Sequence, residues 1–338
     1  MHAPEPSANH LRRLAEELEE EGYGFVLEHR RLVLPELLYA LRPAVHERRA
    51  PSFGSFVQPD VDPRLWSGPT ELEIFRSPVA ELPVAQARRF ADGLSSWLVR
   101  HEDHNELVVL DRPAGSERDL VVLASATGST IVQRHPTGKV RMVGTFGVLR
   151  WDTIGWQHEP PVRTWIERLT ADATPGDRDV LTRLLEFAVH DLGARGIGAL
   201  LVHRPIGDEV DDGATWELRL PVPPALRIGR PADLAPLRHV LGQIDGAAVF
   251  DATGTLRQLG VRLIPSVEAI ADVEGFRGMR HTAGRRYSFD DPAATVIVVS
   301  EDGPVTVLRH GELIGRSETA PGPDLAPAMS AADADESA

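Results

Sequence analysis

Residues 195–202, Arg195-Gly196-Ile197-Gly198-Ala199-Leu200-Leu201-Val202, leave a helix and enter a short apolar run, the pattern of a β-strand buried on both faces. Upstream, Val180, Leu184, Leu185, Ala188, Val189 and Leu192 recur at helical spacing, which predicts a helix over 179–192 with Gly193 placed to stop it. A helix therefore feeds a central strand. Downstream, 243–250 and the run AATVIVVS at 293–300 are too short and too rich in β-branched residues for helices, and read as further buried strands. Val305-Thr306-Val307-Leu308, between Gly303-Pro304 and Gly311, predicts a last hairpin. Strands alternating with helical stretches imply an α/β sheet layered between helices.

Three short motifs lie on this scaffold. Asp245-Gly246-Ala247 puts a carboxylate at the opening of a strand, and Gly246 lets backbone approach a ligand with no Cβ in the way. Mg²⁺ typically keeps several waters and takes one or two carboxylates plus substrate phosphates, so a single Asp suits it. Asp-Gly is also a common turn signal, and a second Asp-Gly-Ala at 212–214 shows how readily the triplet arises. Next comes Gly278-Met279-Arg280-His281-Thr282-Ala283, in a stretch that also holds Arg277, Arg285 and Arg286 and is framed by Gly275 and Gly284. It reads as a glycine-framed basic loop, in which a guanidinium fork can grip phosphate oxygens. Ser300-Glu301-Asp302 falls at the exit of the 293–300 strand, the end at which ligands collect in open α/β sheets.

Arg280 follows Asp245 by 35 residues and Ser300 follows Arg280 by 20. In these segments and at these intervals, the three motifs resemble those of the diadenylate cyclase domain, found in the DNA integrity scanning protein and in membrane-bound cyclases that make cyclic di-AMP. The resemblance covers about 140 residues, from near Arg178 to Arg316. It implies a mixed central sheet flanked by helices, and condensation of two ATP into cyclic di-AMP and two pyrophosphates. It further implies a homodimer or higher oligomer with cyclase domains face to face. By the same resemblance Asp245 holds Mg²⁺ or Mn²⁺, Arg280 and His281 act with it in catalysis, and ATP is bound by Gly246, Ala247, Leu263, Gly278, Met279, Arg280, His281, Thr282, Ser300 and Glu301. The family usually reads Gly-Thr-Arg-His-Arg, whereas Met279 and Thr282 stand here for the Thr and the last Arg. A hydroxyl and a guanidinium are missing, and Arg285 or Arg286 is placed to replace the latter. A catalytically weakened nucleotide receptor or scaffold of the same fold, or an enzyme making another nucleotide, are the alternatives.

Composition sets the surroundings. The 338 residues, 42% of them hydrophobic, suffice for two domains, expected at 1–160 (a smaller α+β sensor or regulatory domain) and 161–316 (the cyclase domain). An acidic tail at 317–338 has the composition of a disordered segment. A net charge of −14 disfavours DNA or an anionic membrane as partner. No apolar run reaches membrane-spanning length and the start lacks a signal peptide, so a cytoplasmic location is expected. With no cysteine, any metal must be held by oxygen or imidazole.

In the first half, an amphipathic helix is predicted at 11–21, an irregular Pro-rich stretch at 35–83, a helix at 84–99, and strands at 107–110, 120–124, 130–134 and 140–149. His101 and His104 resemble a metal pair only weakly and read as a solvated helix end. Trp151, Trp156 and Trp165 read as core or interface residues in preference to a ligand pocket.

Overall fold

The structure is a computed structural model that describes residues 7–43, 45, 50–62, 65–70, 72–79, 82–151, 155–169, 175–205, 216–217, 222–276, 278–302 and 304–317. Two mixed sheets, each covered by helices on both faces, organise these residues.

The first sheet is built from β1 (Phe53–Val57), β2 (Ile74–Pro78), β3 (Ser96–Arg100), β4 (Asn105–Leu110), β5 (Thr130–Arg134), β6 (Val140–Gly144), β7 (Gly147–Trp151) and β8 (Trp156–Glu159). Their order is β2-β4-β3-β1-β5-β6-β7-β8, and β1 and β3 are the parallel neighbours. Helices α1 (Ala8–Glu20) and α2 (Arg30–Leu41) cover one face, setting Leu14, Leu18 and Leu37 over Phe53, Val132 and Met142. Short helices α3 (Ser67–Thr70) and α4 (Val84–Ala87) punctuate the connections. On the other face α5 (Glu117–Thr127) packs Leu120 and Leu123 among Phe56, Trp66, Trp97 and Val143.

Several expectations for this half are overturned, each for a local reason. Residues 120–124 are helical because α5 is closed at both ends: Ser116 and Asp119 form a reciprocal capping box, and Gly128 ends the helix in the left-handed region at φ 67°. The helix expected at 84–99 stops after Phe90. There the Asp92 carboxylate accepts hydrogen bonds from the amides of Leu94, Ser95 and Ser96, at 2.7, 2.8 and 2.9 Å, and turns the chain into β3. The single strand expected at 140–149 is the hairpin β6–β7, with Gly147 at φ 99°. The irregular stretch holds the end of α2 and all of β1 and β2, so this sheet has eight strands, and the domain is not the smaller one. His101 and His104 close the β3–β4 turn, rings stacked at 4.1 Å, and belong to no helix.

The second sheet comprises β9 (Ala199–His203), β10 (Trp216–Glu217), β11 (Ala247–Phe250), β12 (Leu256–Leu263), β13 (Thr295–Val299), β14 (Val305–Arg309) and β15 (Glu312–Arg316), ordered β10-β12-β11-β9-β13-β14-β15. Here β9 and β11 are parallel. Successive residues of a strand face opposite ways. Leu201, Ala248, Ile297 and Val299 therefore meet α6 (Arg163–Leu169), α7 (Pro175–Phe187) and α8 (Pro231–Leu241), while Leu200, Val202, Val296 and Val298 meet Ala283 and Tyr287 of α10 (Met279–Asp290). Helix α9 (Val267–Asp272) leads into α10. Burying each Leu, Val or Ile of these strands stabilises the fold by roughly 1.5–3 kcal/mol. Gly193 does not end α7: the helix continues as a π turn over Ala188–Leu192 and a 3-10 turn over Gly193–Arg195, and Gly196, at φ 68°, stops it.

The two halves meet through charge. Glu117, at the start of α5, takes hydrogen bonds from Arg150 at 2.5 and 2.7 Å and lies 3.0 Å from Nδ1 of His190 on the π turn. The Glu117 and His190 side chains are each 2% exposed. Burial alone would raise the Glu117 pKa, yet the Arg150 guanidinium and its hydrogen bonds hold it well below the usual carboxylate range. Trp165 is a core residue of the second half, where it covers Gly315 so closely that a Cβ would lie 2.7 Å from the indole. Trp156 packs on Trp151 and donates to Glu17, in keeping with a core role.

Candidate nucleotide site

Gly278 to Ala283 begin a helix and are not the basic loop expected from their glycines. Gly278, at φ 96°, turns the chain into α10, and the Thr282 hydroxyl secures the entry. It accepts from the Phe276 amide at 3.1 Å and reaches the carbonyls of Phe276 and Gly278 at 2.9 and 3.1 Å. Gly284 faces the sheet, where a Cβ would meet Val296 at 3.0 Å and Leu200 at 3.3 Å, so its absence lets α10 lie close. The buried face of the helix is Gly284, Tyr287 and Ser288. Helical spacing was present in the sequence, but on residues that do not register as apolar.

This entry delivers Arg280 to the edge of the sheet. Its Nη2 lies 3.4 Å from Asp245 Oδ1 and its Nη1 lies 3.2 Å from Glu301 Oε1. The carboxylates are open to solvent, with side chains 90% and 72% exposed, and the guanidinium is 37% exposed. Gly198 forms the floor: a Cβ there would lie 2.4 Å from Arg280 Nη1 and 2.7 Å from Glu301 Cγ. The unpaired amides of the first turn of α10 add partial positive charge beside Arg280. Asp245, Arg280 and Glu301 are thus brought together from segments far apart in sequence. Gly198 is a member that motif reading missed, since a glycine before a strand carries no chemical signature.

The other expected residues take differing places. Ser300 sits beside Glu301, its amide bonded to the Pro304 carbonyl at 2.9 Å. His281 points inward, Nε2 3.2 Å from Thr306 Oγ1, and burial, with Arg316 nearby, lowers its pKa and keeps it neutral at pH 7. Met279 is 90% exposed. Gly246, at φ 100°, is required by packing: a Cβ would lie 2.7 Å from the Gly260 carbonyl carbon of β12. Ala247 and Leu263 are buried in the core beneath α10. Arg285 and Arg286 do not supply the missing guanidinium. Arg285 bonds the carbonyls of Gly311 and Glu274 at 2.7 and 3.0 Å, and Arg286 bonds that of Val273 at 3.3 Å. Asp212, Arg277 and the tail from 318 onward lie outside the described residues.

The edge itself departs from the open-sheet rule. Asp245 and Gly198 precede the parallel strands β11 and β9, so the site lies at their amino ends, where the antiparallel neighbours β12 and β13 present their carboxyl ends. Beside it, Pro265, Phe276, Met279, Ala283 and Arg286 line an open groove of about 450 Å³. Among the described residues no group of three or more acidic or histidine side chains is set to hold a metal. The oxygen donors at this edge are the exposed carboxylates of Asp245 and Glu301, a set that suits an ion that keeps its waters.

A family model described as "DisA bacterial checkpoint controller nucleotide-binding" (DAC) matches residues 186–313, and one described as "Probable sensor domain DACNK" matches 12–159. No curated protein matches the chain. Among solved structures, a hypothetical membrane spanning protein from Bacillus cereus is 20% identical over 42% of this chain and 68% of its own, with a TM-score of 0.33. DacA from Staphylococcus aureus, solved as a double cysteine mutant, is 21% identical over 43% of this chain and 91% of its own, with a TM-score of 0.29. Both scores are too low to bear on activity. No helix among the described residues is long and apolar enough to cross a membrane. The chain thus carries a DAC-type nucleotide-binding domain at 186–313 behind a sensor-type DACNK domain at 12–159.

Proposed function

We propose that this protein condenses two ATP molecules into cyclic di-AMP and two pyrophosphates. Each 3′-hydroxyl attacks the α-phosphorus of the other nucleotide, the bond to the bridging oxygen breaks, and pyrophosphate departs. The observation that carries this reading is Arg280 suspended between Asp245 and Glu301 at the first turn of α10. A triphosphate reaching that turn meets a fixed guanidinium and unpaired amides, which bind and orient it for in-line attack. The apolar groove beside Gly278 suits a purine. His281, neutral and tethered to Thr306, orients the turn and offers no proton at pH 7. Asp245 would hold Mg²⁺ or Mn²⁺ together with water and substrate oxygens; when bound, the ion polarises phosphate oxygens and stabilises the leaving pyrophosphate. The Asp245 carboxylate also favours loss of the 3′-proton. Each domain holds one ATP, so two copies must face each other.

A second reading is a nucleotide receptor with weak turnover. It is favoured by Met279 and Thr282, since one faces solvent and the other spends its hydroxyl on the loop. Incubating purified protein with ATP and either metal, and identifying products by mass, separates the readings. Cyclic di-AMP supports the first, retained ATP binding without product the second, and a different nucleotide product overturns both.

A further inference from the structure

Between α5 and the pair α7 and α8 lies a cavity of about 820 Å³ that Asp245, Arg280 and Glu301 do not line. That volume lies in the range of small-molecule sites, which run to roughly 300–1,000 Å³. Five arginines and four carboxylates line it, a surplus of one positive charge. Arg195 and Arg238 both bond the same oxygen of Asp191, at 2.9 and 2.6 Å, so two guanidiniums share one carboxylate. From the opposite wall comes Arg118, whose Nε is buried without a hydrogen-bond partner. Glu186 also lines the cavity, within electrostatic reach of Arg118. The Arg118 guanidinium gives a ligand oxygen a charge-assisted hydrogen-bond donor on that wall.

We infer that this cavity is a binding site between the two domains for a small organic anion, whose phosphate or carboxylate oxygens accept from Arg118 on one wall and from the Arg195–Arg238 pair on the other. Such a ligand touches both sides of the junction that Glu117 and His190 already bridge, because Arg118 adjoins Glu117 and Asp191 adjoins His190. The site stands whether or not the chain makes cyclic di-AMP.

Titration calorimetry of the full chain at fixed ionic strength tests this, with inorganic phosphate in one arm and succinate in the other, and hydrogen exchange to locate binding. One anion should bind at one site per chain and protect 116–127 and 188–195. Which arm gives heat tells phosphate from carboxylate chemistry. Arg118→Gln should weaken binding about tenfold or more, as expected for a lost charge-assisted bond, with Arg118→Lys between it and wild type and circular dichroism unchanged. Arg280→Gln should leave this binding unaltered. No heat from either anion up to about 10 mM, far above useful affinity, would overturn the inference, as would binding that falls with Arg280→Gln and ignores Arg118→Gln.

Discussion

Replacing Glu117 with Gln removes one charge at nearly constant volume from the most buried ionic cluster between the domains. The wild-type carboxylate accepts two hydrogen bonds from Arg150 and faces His190, with Arg141 Nε at 3.5 Å. Gln can still accept one of the Arg150 bonds, but its amide turns a donor toward a donor. Removing one partner of a buried pair costs about 3–5 kcal/mol. Because the Arg150 side chain keeps 23% of its exposure and can rehydrate in part, the low end, about 3 kcal/mol, is expected. The sign with pH follows from the depressed pKa of Glu117. Its contribution is fully present above the unfolded value of about 4.3 and is lost as pH falls toward the folded value. The difference between wild type and variant should be constant from pH 5 to 7 and shrink at about pH 3. Urea unfolding followed by fluorescence reads it, since Trp66 and Trp97 are fully buried in the first sheet. A loss below about 1 kcal/mol at pH 7, or one undiminished at about pH 3, would refute the reasoning.

Asp245→Asn should lower product formation by about two orders of magnitude or more, as loss of a single electrostatic group at a reacting centre does, with the melting temperature unchanged; Asp212→Asn, in the other Asp-Gly-Ala, is the control and should keep full activity. Thr282→Arg should reduce turnover and destabilise by about 1–2 kcal/mol, because it removes the hydroxyl that secures 276–278, whereas Met279→Thr, at an exposed position, should be tolerated and raise turnover; steady-state rates with melting curves check both. Gly198→Ala should raise KM for ATP with little change in fold, since a Cβ 2.4 Å from Arg280 Nη1 must displace that side chain, and an unchanged KM would show that Arg280 does not hold substrate.

Legibility followed the kind of residue that does the work. Strands β9 and β13 were readable because both their faces are buried and both are filled by apolar side chains. Helix α10 was not, because it packs through Gly284 and Ser288 and opens through Gly278, residues that read as loop when seen in line. At 120–124 the β-branched run pointed to a strand, and only the Ser116–Asp119 box and Gly128 decide for helix. Asp245, Arg280 and Glu301 stand out in the sequence because their charges are chemically distinctive, and the fold sets them side by side. Gly198 was passed over, and Gly246 was credited to nucleotide approach when Gly260 needs the space. Thr282 was read as an absent arginine, though its hydroxyl holds the turn on which Arg280 stands.

The π turn at Ala188–Leu192 sits at one end of a short lever. Seven residues separate His190, pinned to the sensor-type half, from Gly198, the floor under Arg280. At Gly196 a Cβ would already lie 3.0 Å from the Glu301 carbonyl, so the far end of the lever is seated with almost no clearance. A π turn holds one residue more than its α-helical counterpart needs, and relaxing it would draw the downstream chain back by about 1.5 Å, the rise of one residue. That stroke exceeds the slack around Gly198. Any motion of α5 large enough to relax the turn would therefore shift the seat of Arg280, so the position of that guanidinium and the posture of the sensor-type domain are set by the same few residues of backbone.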